Sequence, residues 1–320
     1  MALFDFPLEE LRSYRPVRSE PDDFDAFWQR TMAETNAFAL NPTFVTIDAR
    51  LPLVHVEDVR FNGFNGEPIS GWFIRAAQQT EPGPCLVRFH GYGNGRWLPA
   101  DWLLWPNSGY SILVMDTRGQ GAGPGATPDP HLGSHPQQTG FMTRGILDPD
   151  EFFYRRVYSD AVRSVDAALA HPLVDPTRVF VSGPSQGGGV TQAVVGLRHD
   201  LAGALIDVPF LTHFRRAIEI TDSAPYGEIS TYLAKSREDE AAVYRTLDYF
   251  DGLNFVARST TEALYSVGLM DAVCPPSTVY AAFNHYGAPA EMVEWKFNGH
   301  EGGGLSQHLL QLDWLGQRIG

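Results

Sequence analysis

A serine inside a glycine-rich pentapeptide is the residue whose surroundings most strongly indicate chemistry. Ser185 is the third residue of Gly-Pro-Ser-Gln-Gly at positions 183–187. The apolar run at 178–182 predicts a strand before this motif, and residues 188–197 are typical of a helix. A serine at a tight turn between strand and helix is held out from the backbone, and flanking glycines let neighbouring chain pass close to the bend. Ser185 is therefore a candidate nucleophile.

A serine hydroxyl is a poor nucleophile at neutral pH, so it needs a histidine base and a carboxylate that fixes the histidine tautomer. After a turn of this kind, the acid and the histidine come later in the chain, each following a further strand. Asp271 follows the apolar run at 262–270, and His300 lies in a polar, glycine-rich loop after the run at 290–297. We predict that Ser185, Asp271 and His300 form a catalytic triad.

Each partner also has a simpler structural alternative. Asp271 could cap the helix predicted at 277–285, although Ser277 would serve as well, and His300 could be a solvated loop residue. His90 precedes a glycine turn, and none of the other histidines directly follows a predicted strand downstream of Asp271. The order serine, acid and histidine, each just past a predicted strand, favours the triad.

An attack on a carbonyl creates an oxyanion, which needs hydrogen-bond donors. One donor is the backbone N–H of the residue after the nucleophile, Gln186, and the other usually comes from a His-Gly loop after an early strand. His90-Gly91-Tyr92-Gly93 follows the strand predicted at 85–89. We assign the second donor to the N–H of Tyr92, with the alternative that the glycines only permit a turn.

Arg118 belongs to a second unusual turn, residues 116–121, which follows the strand predicted at 110–115. This arginine could bind an anionic substrate. A fixed group with several donors is, however, better suited to joining loops through carboxylates and carbonyls. We favour the structural role and expect substitution of Arg118 to lower stability more than it changes substrate choice.

Predicted strands alternate with predicted helices, which is the signature of an α/β fold with a mostly parallel central sheet and helices on both faces. The runs at 54–61 and 69–75 predict an antiparallel hairpin at the start of the sheet. A chain of 320 residues with 43% hydrophobic residues suits a single domain over residues 1–320. Residues 1–50 are expected to form a helical extension, and residues 209–259 a helical, cap-like insertion over the active site.

Composition argues against several classes of protein. The formal net charge is −14 and the chain has no basic run, which argues against a nucleic-acid partner. The N-terminus lacks the features of a signal peptide and no apolar stretch approaches the length of a membrane span, so we expect a cytoplasmic protein without membrane association. Cys85 and Cys274 have no metal-ligand or redox spacing, so we expect reduced packing residues and no metal.

The sequence resembles, over nearly its whole length, the acetyl xylan esterase and cephalosporin-C deacetylase group, carbohydrate esterase family 7. The segments that carry this resemblance are 8–11, 23–28, the Arg-Gly-Gln triplet at 118–120, the elbow at 183–188, Gly-Leu-Met-Asp at 268–271 and His300-Glu301. The segment at 121–125 departs from the family pattern because it is richer in glycine.

This resemblance implies an α/β-hydrolase fold and a serine esterase that removes short acyl groups, chiefly acetyl, from sugar hydroxyls and from cephalosporin C. It implies no cofactor and no metal, and it implies a ring-like homohexamer. It maps the nucleophile, acid and base onto Ser185, Asp271 and His300, and the oxyanion donors onto Tyr92 and Gln186. These positions agree with the assignments made above from chemistry.

Two neighbouring activities stay open, because a general short-chain carboxylesterase and a serine peptidase on the same fold would use the same machinery. Such peptidases commonly carry a large gating domain, for which this chain has no room. A non-catalytic binding protein on this fold usually lacks a triad member. For an acetyl-ester substrate we predict a pocket lined by Tyr92, by Val273 just beyond Asp271, and by Pro225 in the insertion.

Overall fold

The computed structural model describes residues 3–121, 125–130 and 139–319. Residues 122–124 of the glycine-rich segment after the Arg-Gly-Gln triplet therefore lie outside the described residues. The strands are β1 Thr43–Ile47, β2 Val54–Asn62, β3 Pro68–Ala76, β4 Gly83–Arg88, β5 Ser111–Met115, β6 Val174–Pro184, β7 Gly203–Asp207, β8 Ala263–Gly268 and β9 Ala290–Trp295.

The α-helices of the described ranges lie between and around these strands. They are α1 Leu8–Ser13, α2 Phe24–Asn36, α3 Leu104–Asn107, α4 Phe153–Leu169, α5 Gln186–Leu197, α6 Phe214–Ile220, α7 Tyr226–Leu233, α8 Glu240–Asp248, α9 Gly252–Val256, α10 Pro276–His285 and α11 Gly304–Ile319. Among the described residues, none of the helices has both the length and the apolar character needed to cross a membrane.

The strands form one sheet in the order β1-β2-β3-β5-β4-β6-β7-β8-β9. β1, β2 and β3 pair antiparallel with one another, and β3 pairs antiparallel with β5. From β5 onward in that order, all neighbouring strands are parallel. The predicted mostly parallel sheet with an antiparallel hairpin at its start is confirmed.

Both faces of the central parallel strands are buried, because side chains that point alternately to the two faces of the sheet are covered on each face by helices. In β6, Val179 and Val181 belong to the core under α4, α5, α9 and α10, whereas Phe180 packs with Trp314 of α11 on the opposite face. The short helix α3 contributes Trp105 to this second core. Helices thus cover the sheet on two sides.

Loops that carry the predicted site residues leave the sheet at one edge. β4 lies between β5 and β6, so the direction in which the chain adds strands reverses there, and a crevice opens at the carboxyl ends of strands at such a point. Arg88 of β4 is the register partner of Ser182 of β6, so the following loops are neighbours. These loops carry Tyr92 and Ser185.

The N-terminal segment, predicted to be helical over residues 1–50, is helical only as far as Asn36. It contains α1 and α2 but also the edge strand β1, which pairs with β2. This strand has only five residues and a single partner strand, and its inward-facing residues are only half-buried. Its sequence, Thr-Phe-Val-Thr-Ile, is interrupted by threonine and is a weaker strand signal than the continuous apolar runs of the central strands.

Residues 209–259 contain α6, α7, α8 and α9 between β7 and β8, as the helical pattern predicts. These helices have different neighbours. α9 packs against α5 and α10 and contributes Leu253 and Phe255 to the main core, so it completes the layer that covers the sheet. α7 instead contacts the short turn Phe141–Thr143.

Candidate active site

Ser185 occupies the bend between β6 and α5 in a backbone conformation that L-residues rarely adopt, with φ 55° and ψ −120°. Its N–H donates to the carbonyl oxygen of Asp207 at 2.9 Å, and its own carbonyl accepts the N–H of Phe210 at 2.9 Å. These two bonds anchor the bend to the segment that leaves β7. Surrounding structure thus holds a conformation that would otherwise cost on the order of 1–3 kcal/mol.

The glycines of the pentapeptide are required by close approach of the backbone. A Cβ atom at Gly187 would lie 2.3 Å from the carbonyl oxygen of Phe89, and a Cβ atom at Gly183 would lie 2.3 Å from the carbonyl carbon of Gly187. Only glycine therefore allows the first turn of α5 to lie against the end of β4. This contact brings the loop after β4 beside Ser185.

Ser185, His300 and Asp271 form one hydrogen-bonded chain. His300 Nε2 lies 2.9 Å from Ser185 Oγ, and His300 Nδ1 lies 2.8 Å from Asp271 Oδ2. Both distances are within the range for a base that accepts a proton from a hydroxyl while a carboxylate holds its other nitrogen. The fold thus brings together the three residues that the sequence predicts as a triad.

Asp271 is fully buried and uses both carboxylate oxygens. Oδ1 accepts the N–H groups of Val273 at 2.8 Å and Cys274 at 2.9 Å, while Oδ2 binds His300. Asp271 therefore fixes the turn before α10 but does not cap that helix, because the N–H of Ser277 in its first turn donates to Asp5 Oδ2 at 2.7 Å. Charge-assisted bonds of this kind stabilise a carboxylate and fix its orientation.

The loop that carries His300 is closed by the next residue. Glu301 Oε1 accepts the side-chain N–H of Asn298 at 2.7 Å, and Glu301 Oε2 accepts the N–H of Gly299 at 3.1 Å. The hydrogen bond from Asn298 lowers the pKa of the Glu301 carboxyl. The His300 side chain is 32% exposed, so solvent reaches the base while its carboxylate partner is shielded.

The two N–H groups predicted to bind the oxyanion are available. In the described part of the chain, neither the Tyr92 N–H nor the Gln186 N–H donates a hydrogen bond to another protein group. Gln186 is the first residue of α5, so its N–H has no acceptor within the helix. The positive end of the helix dipole also favours negative charge at this point.

Gln120 joins the two loops that carry these N–H groups, a role that sequence reasoning missed. Its Nε2 donates to Gln186 Oε1 at 2.8 Å, and its Oε1 accepts from Gln186 Nε2 at 3.0 Å and from the N–H of Gly93 at 2.9 Å. Both glutamine side chains are buried. In the sequence, Gln120 is visible only as part of the Arg-Gly-Gln triplet. Its role could not be predicted, because its partner Gln186 lies 66 positions away.

Arg118 is fully buried, and its guanidinium binds carboxylates rather than facing the triad. Nε and Nη2 form a two-point contact with Asp160, at 2.6 and 2.9 Å, and Nη1 contacts Glu67 and, at 3.4 Å, Asp129. These partners come from the turn between β2 and β3, from α4 and from residues 125–130. The predicted structural role of Arg118 is confirmed.

The competing histidine after β4 has a structural role. His90 is buried, and its Nε2 accepts the N–H of Thr117 at 3.1 Å. Burial lowers the pKa of His90, so the ring stays neutral and serves as an acceptor between the loops after β4 and β5. This arrangement excludes His90 as the base for Ser185, because Nε2 is already occupied.

The two residues predicted as further pocket walls lie in different settings. Val273 is half-buried beside Asp271, and Pro225 is buried at the start of α7. Their contact with a substrate stays a prediction.

Asp271, Cys274 and His300 offer possible metal ligands within 4.8 Å of one another. The pKa of the Cys274 thiol is raised well above its usual range by burial and by the nearby Asp271 charge. A thiol that resists deprotonation is a poor metal ligand, and His300 already uses both nitrogens in the triad contacts. The residues therefore fit a proton-transfer site better than a metal site.

Comparison with known proteins finds a matching family model and relatives described as acetyl esterases. The family model described as acetyl xylan esterase matches residues 1–318. The acetyl xylan esterase from Paenibacillus sp. R4 is similar in structure, with a TM-score of 0.91 and 37% identity, over 98% of this chain and 100% of that one.

Two further relatives agree with this similarity. Acetyl xylan esterase 1 from Thermoanaerobacterium sp. JW/SL YS485 has a TM-score of 0.87 and 30% identity, over 98% of this chain and 99% of that one. The acetyl esterase Axe7A of Xylanibacter ruminicola is 24% identical over 296 residues, which cover 89% of this chain and 65% of that protein. The chain thus spans less than two thirds of that relative's length.

Proposed function

We propose that this chain, which belongs to the acetyl xylan esterase family, is a carboxylic ester hydrolase that removes acetyl groups from sugar hydroxyls. The observation that carries the proposal is the hydrogen-bonded chain from Ser185 Oγ through His300 to Asp271. The N–H of Gln186 at the start of α5, which has no protein acceptor among the described residues, supports the proposal, because an acyl-transfer site needs a hydrogen-bond donor beside the nucleophile.

The first half of the reaction transfers the acetyl group to Ser185. His300 Nε2 takes the Ser185 proton while Oγ forms a bond to the acetyl carbonyl carbon, and the oxyanion accepts hydrogen bonds from the N–H groups of Tyr92 and Gln186. His300 then gives that proton to the sugar oxygen as the ester C–O bond breaks. Asp271 stabilises the imidazolium in between.

The second half returns the enzyme to its starting state. His300 takes a proton from a water molecule, whose oxygen attacks the acetyl-Ser185 carbonyl, and the same N–H groups hold the second oxyanion. Protonation of Ser185 Oγ by His300 breaks its bond to the acetyl carbon and releases acetic acid, which loses its proton to solvent. Side chains and backbone groups of this chain handle every proton and charge, so the scheme includes no metal and no cofactor, and activity should persist in a chelator.

Acyl length is set by the volume around the scissile carbonyl. In this proposal Tyr92, Val273 and Pro225 form the walls that accept acetyl and restrict longer chains. Cephalosporin C, which carries an acetyl ester, is the second substrate class that the family suggests. A hydrophobic pocket discriminates by only about 1–3 kcal/mol per methylene, so a steep fall needs close packing at these walls.

An ester series tests the function. Acetyl, propionyl, butyryl and longer p-nitrophenyl esters are compared with acetylated xylose, cephalosporin C and acetyl-peptide anilides. We expect kcat/KM to fall steeply beyond propionyl and both acetylated compounds to be cleaved. Flat activity up to long chains would indicate a general carboxylesterase, and preferential anilide cleavage would indicate a peptidase.

Assembly and location complete the proposal. We propose a homohexamer, whose subunit contacts would bury exposed apolar side chains such as Trp97, Leu98, Leu305 and Leu309. Light scattering that gave a monomer at micromolar concentration would contradict the hexamer.

We also propose a cytoplasmic location, which suits the two buried, unpaired cysteines. Recovery of the activity outside the cytoplasmic fraction would contradict that location.

A further inference from the structure

A carboxylate from the insertion binds the side chain of Tyr92, the residue whose backbone N–H is predicted to bind the oxyanion. Glu228 lies on α7, and both of its carboxylate oxygens lie 2.8 Å from the hydroxyl oxygen of Tyr92. Burial and this hydrogen bond together raise the pKa of Tyr92, so the phenol stays protonated and donates. The two residues are 136 positions apart in the sequence, so no local pattern predicts their contact.

The direction of this hydrogen bond is fixed by the other groups around it. The Tyr92 hydroxyl oxygen accepts the N–H groups of Phe141 at 2.8 Å and Gly140 at 3.2 Å. Its only proton is therefore left for Glu228. The Glu228 carboxylate also accepts the N–H groups of Gly140 at 3.1 Å and Met142 at 3.3 Å. Helix α7, the turn at 140–142 and Tyr92 thus share one hydrogen-bonded junction.

The backbone around Tyr92 is held by two hydrogen bonds of its neighbours, from the Gly93 N–H to Gln120 Oε1 at 2.9 Å and from the Asn94 N–H to the Gly91 carbonyl at 3.3 Å. Gly91 precedes Tyr92, and Gly93, which follows it, has a left-handed φ of 71°. Glycine is the residue that restricts backbone torsions least, so the orientation of the Tyr92 N–H also depends on the contacts of the Tyr92 side chain. The Tyr92 ring packs edge-on against Phe141 and Phe210, which leaves the hydroxyl as its directional anchor.

We propose that Glu228 is a positioning residue that orients the oxyanion-binding N–H of Tyr92 by holding the far end of its side chain. Glu228 does not touch the substrate and acts through Tyr92. The consequence is that helix α7, which begins beside Pro225, must be docked for the oxyanion site to be complete. This inference depends on the proposed esterase function.

Variants at Glu228 separate positioning from simple structural support. Glu228→Ala should lower kcat for p-nitrophenyl acetate tenfold to fiftyfold, with KM changed less than about twofold, because a misaligned donor loses part of the 10²–10³ that one oxyanion donor contributes. Glu228→Gln should restore part of kcat, since its amide oxygen still accepts from Tyr92. Glu238→Ala, an exposed acid in the same insertion, is the matched control and should behave like the parent.

A double-mutant cycle identifies the route of the effect. Tyr92→Phe removes the hydroxyl and should lower kcat as Glu228→Ala does, and the double variant should lose no more than the larger single loss. Affinity for a boronic acid, whose adduct places an oxygen in the oxyanion site, should fall in parallel with kcat/KM, whereas inhibition by acetate should not change. A purely structural role would leave this boronate-to-acetate ratio at the parent value.

Several outcomes would overturn the inference. They are parental kcat in folded Glu228→Ala, losses that add in the double variant, or a boronate affinity that does not change. If Glu228→Ala does not fold, Tyr92→Phe and Glu228→Gln give the same comparison. A parent protein without esterase activity would refute the proposed function instead, so the two failures are distinguishable.

Discussion

Two buried aspartates, Asp271 and Asp160, serve opposite purposes. Asp271 binds His300, whose other nitrogen faces a hydroxyl and whose ring is partly exposed to solvent. Asp160 binds Arg118 at two points and also accepts the N–H of Phe64 at 2.8 Å. Burial raises the pKa of Asp160 even beside this guanidinium.

The two clusters differ in whether they contain a group that is able to transfer a proton. Around Arg118, a permanently charged guanidinium is buried with its carboxylate partners. Because the guanidinium does not give up a proton, this cluster does not support proton transfer. Around His300, an imidazole connects a shielded acid to a hydroxyl, and two N–H groups without a protein acceptor among the described residues are predicted to receive the oxyanion. We call the Arg118–Asp160 group the closed cluster and the Ser185–His300–Asp271 group the open cluster. We infer that the closed cluster stabilises the fold, whereas the open cluster supports chemistry.

Removal of the nucleophile should give the largest effect and would test the open cluster. Ser185→Ala should lower kcat by on the order of 10⁴–10⁶, because the hydroxyl forms the covalent bond in the proposed reaction. The melting temperature should hardly change, since the substitution removes one oxygen atom. Steady-state hydrolysis of p-nitrophenyl acetate measures this loss, with exposed Ser306→Ala as the control. Near-parental turnover would remove the basis for the comparison.

Disruption of the closed cluster should act on stability. Arg118→Met leaves the buried carboxylate of Asp160 without its cation, whereas Asp129 keeps its contact with Arg156, and the loss should cost about 3–5 kcal/mol of unfolding free energy. KM for acetyl esters should stay close to the parent value in protein that remains folded. Urea denaturation provides the measurement, and Arg237→Met, at an exposed position, controls for charge. Unchanged stability with lost substrate affinity would reverse the assignment.

A third group, the half-buried His213, sharpens the contrast because it is a histidine with a phenol partner instead of a carboxylate. Its Nε2 lies 3.0 Å from the Tyr14 hydroxyl oxygen, and burial with nearby Arg216 and His285 lowers its pKa to about 4. The unfolded chain takes up this proton near pH 6.5, so stability should fall by about 2–3 kcal/mol as the pH drops from 6.5 to 4.

The variant His213→Asn isolates this effect, because asparagine tolerates the left-handed φ of 50° and does not titrate. Its unfolding free energy should fall less than that of the parent between pH 7 and pH 4. Asp251, which accepts the N–H of residue 213, has a pKa raised to about 6 by burial. It titrates with the opposite sign in both proteins and cancels in the comparison. Identical pH profiles would contradict the assignment.

The smallest expected effect concerns support of the open cluster. Gln120→Leu removes the acceptor for the Gly93 N–H and the partner of the Gln186 amide, so both oxyanion donors should lose alignment. We expect kcat to fall about tenfold to fiftyfold with little change in KM. Gln29→Leu, at an exposed position, is the control. A change in KM alone would assign Gln120 to substrate binding instead.

The triad and the central sheet could be predicted because their signals are local. Ser185 lies in a motif flanked by a strand and a helix, and Asp271 and His300 each follow a buried apolar run. Such runs mark parallel strands because both faces are covered by helices. The edge strand β1 lacks that pattern, since its five residues are exposed or half-buried.

The supporting contacts could not be predicted, because their partners are distant in sequence and chemically ordinary. Gln120 pairs with Gln186 only after the sheet has brought the loops after β5 and β6 together, and Glu228 binds Tyr92 only after α7, which follows β7, has packed beside the loop after β4. A glutamine or a glutamate without a local motif gives no sign of its partner. Arg118 was the exception, because a guanidinium in a tight turn needs several acceptors wherever it lies.

The most direct test of the account is capture of the covalent intermediate. The protein is mixed with excess p-nitrophenyl acetate, quenched in acid within the first turnovers and digested for mass spectrometry. We expect one added acetyl group on the peptide that contains Ser185, absent from Ser185→Ala and slower to form in His300→Ala. Full hydrolysis by the parent with no acetyl group on Ser185, or with the acetyl group on another residue, would contradict the account.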